Sequence, residues 1–434
     1  NSLNKSIDTN TVTNVDITNT NNFAIDLSPR TKIGDKYVIE NLTGNGTINV
    51  SRFNFVGLAP IDRNIDFKVF DATNSTDSID YAATNQKIFT PIGNYKLKAM
   101  GDGIYRASLA DYNPQVYRGQ VATLAAYNNQ LIVNDFLTNR FVLQSEQLIE
   151  NTKNANKTSA VSPILAPYQN TIDDGSVWMR TYASFERLSM THGLNVGNNT
   201  YGTIVGVDMP AKLLNKGWKF IPTVFLGYNG GNQYFNKVDM YQNGVQGGLM
   251  ATFMKHQFIS SIMAYGGGYF NEMNVAGNTD RTGNWFAGAA AKIAYNLKAT
   301  KYFTIQPNVF VSYNIFGKQH WHTDYGVMSM NSGLLNGINV APGVNFIYGR
   351  GTWSIYTTVQ YMYNINDHIG GYAGNVNLPS ISMRHGYIQY GFGATKLWKD
   401  RLNSYLQITF RNGGRTGVGF QLGLRYMFEM KKHK

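Results

Sequence analysis

The feature that most constrains the fold is a series of long alternating segments in the C-terminal part of the chain. Between Val177 and Phe428, apolar and polar residues alternate through twelve segments, most of them 11 to 16 residues long. Successive strand residues point to opposite faces of a sheet, and strands of globular proteins usually have only about 5–6 residues. Segments of this length suit tilted strands that cross a membrane, and an even strand number is typical of bacterial barrels. We place the twelve at about 176–187, 199–209, 217–229, 239–254, 256–271, 282–297, 301–316, 334–348, 352–366, 384–397, 402–412 and 415–428.

The last segment shows the alternation most clearly. One face is apolar and is predicted to meet lipid: Val418, Phe420, Leu422, Leu424, Tyr426 and Phe428. The other face is polar or small and is predicted to line the lumen: Arg415, Gly417, Gly419, Gln421, Gly423 and Arg425. Aromatic residues near segment ends predict interfacial girdles, since Trp and Tyr favour the membrane–water boundary. These residues are Trp178, Trp218, Trp285, Trp353, Trp398 and Tyr426.

The composition favours the same solution. Charged residues make up 15% of the 434 residues, whereas an ordinary soluble protein has about 25%. No run of about 18 apolar residues is present, so we predict no transmembrane helix, and a closed barrel is the other way to cross a bilayer. Glycine and tyrosine are plentiful, and cysteine is absent. The absence of cysteine excludes disulfides, Cys-ligated metal centres and a thiol nucleophile.

A helix is predicted over 113–150, directly before the barrel segments. Asn113 is a favourable N-cap and Pro114 a favourable first helical residue. The segment is long enough to cross a bilayer, but it is too polar to face lipid, as Asn128, Asn129, Asp135 and Arg140 illustrate. Such a helix suits the inside of a water-filled barrel. An amphipathic helix packed on a soluble domain is the alternative.

The remaining zones are predicted from their composition. Residues 1–112 hold short alternating stretches separated by Asn, Gly, Asp and Thr, which predict a β-solenoid or, alternatively, a β-sandwich. Residues 151–175 form a polar linker, 176–428 the barrel, and 429–434 a short basic tail. The polar residues 1–22 lack the basic start and apolar stretch of a signal peptide, so we expect a cytoplasmic protein or a fragment of a longer precursor.

The net charge of +12 is distributed unevenly. Residues 1–176 carry −2 and residues 177–434 carry +14. Charges on a lipid face would cost roughly 2–4 kcal/mol at the midplane, so we predict that the charged strand residues line the lumen. They are Arg180, Glu186, Asp208, Lys292, Arg411, Arg415 and Arg425. Our hypothesis is that the basic wall pairs with Asp135, Glu146 and Glu150 of the helix. Alternatively, the other Lys and Arg residues sit at rims and touch lipid phosphates.

Several motifs resemble those of classical type V autotransporters. The stretches VWMRTYASFER (Val177–Arg187) and YGTIVGVDMP (Tyr201–Pro210) resemble the first barrel hairpin of that family. The ending GVGFQLGLRYMF (Gly417–Phe428) resembles its last strand, although Glu429–Lys434 follow where the family usually ends on the aromatic residue. The segment Phe67–Gln120, with its YKL, GIY and NPQV motifs, resembles the pertactin-like autochaperone region.

The resemblance covers about residues 30–428. It implies a mainly β protein with a twelve-stranded antiparallel transmembrane barrel, a pore-spanning helix and a preceding short right-handed β-helix. It also implies the Gram-negative outer membrane as location, with the N-terminal segment on the cell surface. The implied partners are outer-membrane lipids and lipopolysaccharide, the protein's own passenger, and the barrel assembly machinery. That machinery would read Phe420, Leu422, Leu424, Tyr426 and Phe428 in a monomeric barrel.

The implied function is export of the protein's own passenger followed by anchoring. A surface adhesin or display protein whose barrel is only an anchor is the alternative, and a porin is a third option. Some members of the family release the passenger when an asparagine cyclises inside the barrel. Asn128–Asn129, with Glu186 and Asp208 facing inward, would be the corresponding place here.

Other functions find little support in the sequence. We find no G-x-S-x-G elbow and no P-loop, so we expect no enzyme and no cofactor. His320-Trp-His322 could touch a metal from a loop, but no third ligand is spaced nearby. The basic residues are spread over twelve segments rather than clustered, which argues against nucleic-acid binding.

Overall fold

The computed structural model describes residues 3–75, 78–142, 175–323, 328–350, 352–398 and 401–428. The first part of the chain consists of short strands. They are β1 (Thr9–Ile17), β2 (Thr20–Ser28), β3 (Ile33–Gly34), β4 (Lys36–Gly44), β5 (Thr47–Phe55), β6 (Asn64–Lys68), β7 (Phe70–Ser75), β8 (Asp80–Ala83), β9 (Lys87–Phe89), β10 (Gly93–Gly101) and β11 (Ile104–Tyr112).

Two parallel ladders organise these strands. The chain alternates between the ladder β1–β4–β7 and the ladder β2–β5–β8. Asn14, Asn41 and Asn74 occupy one register position of the first ladder, and their side chains are hydrogen-bonded in a row at 2.9 and 2.8 Å. Apolar side chains such as Ile25 and Phe53 are buried between the strands. The antiparallel sheet β6-β11-β10-β9 completes this part of the chain.

The helix follows directly. Asn113 caps it as predicted, because its Oδ1 accepts a hydrogen bond from the Gln115 amide at 3.1 Å. A 3-10 turn (Pro114–Tyr117) leads into helix α1 (Arg118–Val142), whose 25 residues span about 37 Å. No described helix is both long and apolar enough to cross a membrane. Positions 143–150 of the predicted helix, most of the predicted linker 151–175 and the tail 429–434 lie outside the described residues.

The remaining strands follow the helix along the chain. They are β12 (Gly175–Ser189), β13 (Asn195–Asp208), β14 (Lys212–Leu213), β15 (Lys219–Phe235), β16 (Val238–Lys255), β17 (Phe258–Val275), β18 (Asn278–Tyr295), β19 (Leu297–Lys298), β20 (Phe303–Phe316), β21 (Gln319–Thr323), β22 (Met328–Ser332), β23 (Leu335–Arg350), β24 (Trp353–Ile365), β25 (Ile369–Ala373), β26 (Val376–Ile381), β27 (Tyr387–Trp398), β28 (Leu402–Gly413) and β29 (Arg415–Phe428).

Twelve of these strands close into an antiparallel barrel, which confirms the predicted fold class. In order around the barrel they are β12, β13, β15, β16, β17, β18, β20, β23, β24, β27, β28 and β29. The first and last strands meet, with Gly175 opposite Phe428, and pairing of β13 with β15 completes the ring. We call the end of the barrel that carries Gly175 and Phe428 the terminal end, and the opposite end the loop end.

The period-2 alternation separates the two faces of the wall. Outward side chains such as Leu249 and Phe270 are 64% and 73% exposed, whereas Met250 and Asn271, the next residues of their strands, are buried. In β29, Phe420, Leu422, Leu424 and Tyr426 face outward, and Phe428 is half-buried. The expectation for Trp178 was wrong: it points into the lumen, where its indole N–H donates to Asp208 at 3.2 Å.

Two connections at the loop end form a sheet of their own, which the sequence did not predict. The hairpins β21–β22 and β25–β26 pair through β22 and β25 into a four-stranded sheet, here called the loop sheet. His320 and His322 therefore lie on a strand rather than on the predicted loop.

Candidate functional site: the helix in the lumen

Helix α1 fills the lumen although its composition is strongly polar. All 25 of its residues are buried, and 12 of them have amide, hydroxyl or charged side chains. A buried polar group without a partner costs about 1–3 kcal/mol or more, so a stable arrangement requires the wall to supply matching groups. The inward face of the twelve strands supplies these groups at three levels along the helix.

The first level lies at the loop end. The Arg118 guanidinium donates two hydrogen bonds to one carboxylate oxygen of Asp280, at 2.8 and 2.5 Å, and both residues are buried. At the next position the ring of Trp321 lies against Gly119, where a Cβ would stand only 1.9 Å from the ring. Glycine is therefore required for this close approach of the loop sheet to the helix.

The second level is centred on Glu186 of the wall. Arg411 and Arg415 both form ion pairs with its carboxylate. Arg415 also donates from Nη1 to the main-chain carbonyl oxygen of Asn128 at 2.6 Å. A buried cation of the wall is thus bound to the backbone of the helix at its middle.

A hydrogen-bonded chain connects the same pair of arginines to a helix carboxylate. Asp135 accepts hydrogen bonds from Lys292 Nζ at 2.9 Å and from Gln389 Nε2 at 3.2 Å. Gln389 Oε1 in turn accepts from Arg411 Nε at 2.7 Å. Three amide contacts support this level: Asn198 to Asn129 at 2.9 Å, Gln130 to Gln246 at 2.8 Å, and Asn134 to the Tyr265 hydroxyl at 2.6 Å.

The third level is centred on Asp208 near the terminal end. Helix residue Arg140 binds both of its carboxylate oxygens at 2.5 Å, and Arg425 of the wall lies 3.4 Å away. The same carboxylate accepts hydrogen bonds from Ser176, Trp178 and Thr223. A cavity of about 10 Å³ beside these arginines holds at most about one water molecule, so the helix fills this level.

The structure brings together the residues that the sequence placed in the lumen. Arg180, Glu186, Asp208, Lys292, Arg411, Arg415 and Arg425 are all buried on the inner face. Asn128, Asn129, Asp135 and Arg140 lie on the helix and face these wall residues at the second and third levels.

The partners differ from the predicted ones in most cases. Lys292 pairs with Asp135, as the charge pattern predicted. Arg411 and Arg415 pair instead with Glu186 of the wall, and Arg180 donates to the carbonyl of Phe136 at 3.0 Å. Glu146 and Glu150 lie outside the described residues. The prediction also missed pairs in which the helix supplies the cation, namely Arg118 with Asp280 and Arg140 with Asp208.

Strand parity could have identified one of the missed residues. Asp280 has the same parity in β18 as Lys292, so extending the predicted strand 282–297 by two residues would have placed Asp280 in the lumen by the same rule. No comparable signal was present for Trp321, because its strand is only five residues long.

The loop sheet also contacts the part of the chain that precedes the helix. The Asn375 amide donates to the Ile61 carbonyl at 2.8 Å, and its side chain donates to Asp62 at 3.1 Å. The Tyr112 hydroxyl donates to the Asn377 carbonyl at 3.0 Å. The N-terminal strands therefore rest on the rim of the barrel at the loop end.

Comparison with known proteins supports the fold. The sequence matches no protein-family model and no curated protein. Among solved structures, the translocator domain of the autotransporter NalP from Neisseria meningitidis is similar at a TM-score of 0.50 and 10% identity, covering 67% of this chain and 98% of that one. Over the matched part the fold is therefore that of an autotransporter translocator domain.

Two further autotransporter structures are similar. The β domain of BrkA from Bordetella has a TM-score of 0.48 and 14% identity, covering 59% of this chain and 100% of its own. The transport unit of AIDA-I from Escherichia coli has a TM-score of 0.48 and 12% identity, covering 66% and 97% of the two chains.

Proposed function

We propose that this chain is an autotransporter unit of the Gram-negative outer membrane, which exports its own N-terminal passenger and afterwards anchors it. The observation that carries the proposal is the path of the chain. It leaves a set of strands outside the barrel and enters the lumen as a buried helix. It then reappears as the wall of the same barrel, beginning with β12. Once a passenger has been drawn through the pore, a segment should remain inside it that is covalently joined to the N-terminal strands on one side and to the barrel on the other.

The N-terminal strands support a passenger end of the β-helix type. Two parallel ladders shared by successive strands are the arrangement of a solenoid coil, and the antiparallel sheet β6-β11-β10-β9 would act as its closing, autochaperone-like cap. We infer a right-handed β-helix that lies outside the cell, with the loop end facing outward and the terminal end facing the periplasm.

The ionic contacts support an anchored final state. Six described carboxylate–guanidinium or carboxylate–ammonium contacts are buried in the lumen, and three of them join the helix to the wall. Removing one partner of a buried pair is strongly unfavourable, since it leaves an uncompensated charge. Withdrawal of the helix would leave several such charges at once, so the helix is expected to stay.

The partners follow from the same proposal. Lipid and lipopolysaccharide would surround the outer face, and the barrel assembly machinery would bind the outward residues of β29. We propose a monomer without enzymatic activity, cofactor or nucleic-acid partner. An adhesin whose barrel serves only as an anchor would have the same structure as an autotransporter after export. Self-export and anchoring alone are therefore distinguished by a transport experiment rather than by structure.

Conductance in planar bilayers tests the plugged pore. The full chain should give little current, and deletion of 113–150 should give a large, stable conductance, because the helix occupies the lumen. A control deletion of 3–75 removes an even longer stretch of chain, which lies outside the barrel, and should leave the current low. A large open pore in the full chain would contradict the proposal and favour a porin.

Self-cleavage at Asn128–Asn129 is a second candidate, favoured by the contact of Arg415 with the Asn128 carbonyl oxygen. In this reaction the Asn128 side-chain nitrogen attacks its own main-chain carbonyl carbon. The peptide bond to Asn129 breaks, a proton passes to the Asn129 nitrogen, and a succinimide forms. In the structure that side-chain nitrogen instead donates to Leu124 O at 2.8 Å. Mass spectrometry for a fragment beginning at Asn129, in wild type and in Asn128→Asp, tests for the reaction.

A further inference from the structure

The lipid face of the barrel carries an apolar groove that the proposed function does not use. It has a volume of about 470 Å³ and crosses five neighbouring strands, β20, β23, β24, β27 and β28. Ile355, Phe392 and Leu406 line it and are each more than half exposed, so no other part of the described chain covers it.

A lysine lies beside the groove on its terminal side. In the register of β24 and β27, Ile355 lies opposite Ala394 within the groove, and Trp353 lies opposite Lys396 two residues further on. The Lys396 ammonium is 4.2 Å from the centroid of the Trp353 ring and 3.9 Å from that of Trp398. Within the described ranges, Lys396 is the one outward-facing cation that lies over two aromatic rings.

The two tryptophans hold the ammonium without neutralising it. Cation–π contacts orient a lysine and are worth about 0.5–1 kcal/mol at exposed sites, but they leave its charge available. No carboxylate of the described chain forms an ion pair with Lys396. Arg350, which lies opposite Trp353 in the register of β23 and β24, is exposed and adds a second positive charge. Among the described residues, the cluster therefore presents positive charge without a paired carboxylate at one end of an apolar groove.

We propose that this surface binds one anionic diacyl phospholipid, with its phosphate at Lys396 and Arg350 and an acyl chain in the groove. Trp residues lie at headgroup level in membrane barrels, and a lysine on the lipid face costs only about 0–1 kcal/mol there. The cluster thus lies where lipid phosphates are found. A zwitterionic headgroup carries the same phosphate but adds a cation that the two positive charges would repel, and an uncharged headgroup lacks the phosphate, which is why the proposal specifies an anionic lipid.

A second groove of the barrel provides an internal comparison. It is larger, about 770 Å³, and is lined by Val177, Leu226 and Leu424 near the seam of the first and last strands. None of its lining residues is charged. We therefore expect it to accept acyl chains without selecting a headgroup.

Native mass spectrometry of the full chain tests the site. The protein is released from micelles that contain equal amounts of phosphatidylglycerol and phosphatidylcholine. Wild type should retain one phosphatidylglycerol in preference, and Lys396→Gln should lower that retained fraction at least fivefold. Lys396→Arg should restore most of it. Leu406→Trp, which fills the groove, should lower retention of both lipids at this site.

Lys255→Gln is the matched control, because Lys255 lies 5.7 Å from a single ring, that of Trp218, away from the groove. It should leave retention unchanged. Equal retention of both lipids by wild type, or no effect of Lys396→Gln, would overturn the proposal. So would a stable dimer that Leu406→Trp dissociates, since the groove would then be a contact between copies. The proposal depends on the membrane location of the barrel. Failure of the chain to enter micelles as a heat-modifiable barrel would count against that location rather than against the lipid site.

Discussion

At the scale of single residues, Asp208 has more charged and hydrogen-bonding partners than any other lumen residue described above. Its carboxylate lies between Arg140 of the helix and Arg425 of the wall. Two hydroxyls and an indole N–H occupy its remaining acceptor positions. Five partners on the helix and three strands therefore depend on one negative charge.

The first prediction concerns that charge. Asp208→Asn keeps the shape of the side chain but leaves two buried arginines without a counter-ion. The free energy of unfolding should fall by about 3–5 kcal/mol. Urea unfolding in detergent, followed by tryptophan fluorescence, measures it. The matched control is Asp71→Asn, which removes an exposed pair with Lys36 and should cost about 0–1 kcal/mol. Equal losses in the two variants would contradict the central role of Asp208.

The second prediction concerns Asp35 in the N-terminal strands. Burial raises the pKa of its carboxyl above 3.8, and the neighbouring Asp26 and Asp8 carboxylates add to this, although their amides donate to it. Because the folded state then binds the proton more tightly than the unfolded state, stability falls as the pH rises from about 4 through the raised pKa.

Asp35→Asn removes this dependence. Relative to wild type, the variant should therefore gain stability as the pH rises through that window and then keep a constant difference. Hydrogen exchange of peptides from 3–75 in the full chain measures this difference. A difference that does not change with pH would contradict the assignment. The pH dependence of stability has the opposite sign for Asp66, because hydrogen bonds from Arg106 lower the pKa of its carboxyl.

At the scale of elements, the loop sheet is held to the helix by the close approach of Trp321 to Gly119 and by hydrogen bonds to Gln120 and Thr123. We predict that Gly119→Leu displaces the indole, separates the loop sheet from the start of α1 and raises the leak conductance of the full chain. Planar-bilayer recording measures the leak. Gly349→Leu is the control, since open space surrounds its Cβ position, and it should not change the current.

The strands and the helix could be predicted from the sequence because each pattern continues over a long segment. Ten or more alternating residues fix both a strand and its inward face, as in β29, where Arg415 and Arg425 share the polar face and are buried. The loop sheet could not be predicted, since five residues such as Gln319–Thr323 do not distinguish a strand from a loop. The pairing of Arg140 with Asp208 was also out of reach, because parity gives the face of a residue but not its height along the helix.

At the scale of the whole molecule, the N-terminal strands and the barrel meet through a few polar contacts of the loop sheet. We predict that replacing 369–381 with a short Gly-Asn turn leaves the barrel folded, because none of the twelve wall strands is altered. The N-terminal strands should lose the contacts of Ile61, Asp62 and Tyr112 and become more sensitive to trypsin.

Heat-modifiable migration in gels reports the barrel, and the rate of tryptic cleavage within 3–112 reports the N-terminal strands. A matched change, replacement of the connection 209–218 at the terminal end by a short turn, should leave that rate unchanged. An unchanged rate in the loop-sheet variant would show that the helix alone positions the N-terminal strands.

The double attachment of the N-terminal strands also has a mechanical consequence. A force applied at β1 and directed away from the barrel would reach the wall by two routes. One runs along the axis of α1 to the ion pairs at Asp135 and Asp208, and the other runs through Asn375 into the loop sheet. The rim contacts are short and exposed, so they would yield first under load. The buried pairs, loaded in shear along the helix, would then carry the tension. Rupture of the rim contacts would therefore come before any displacement of the helix from the pore.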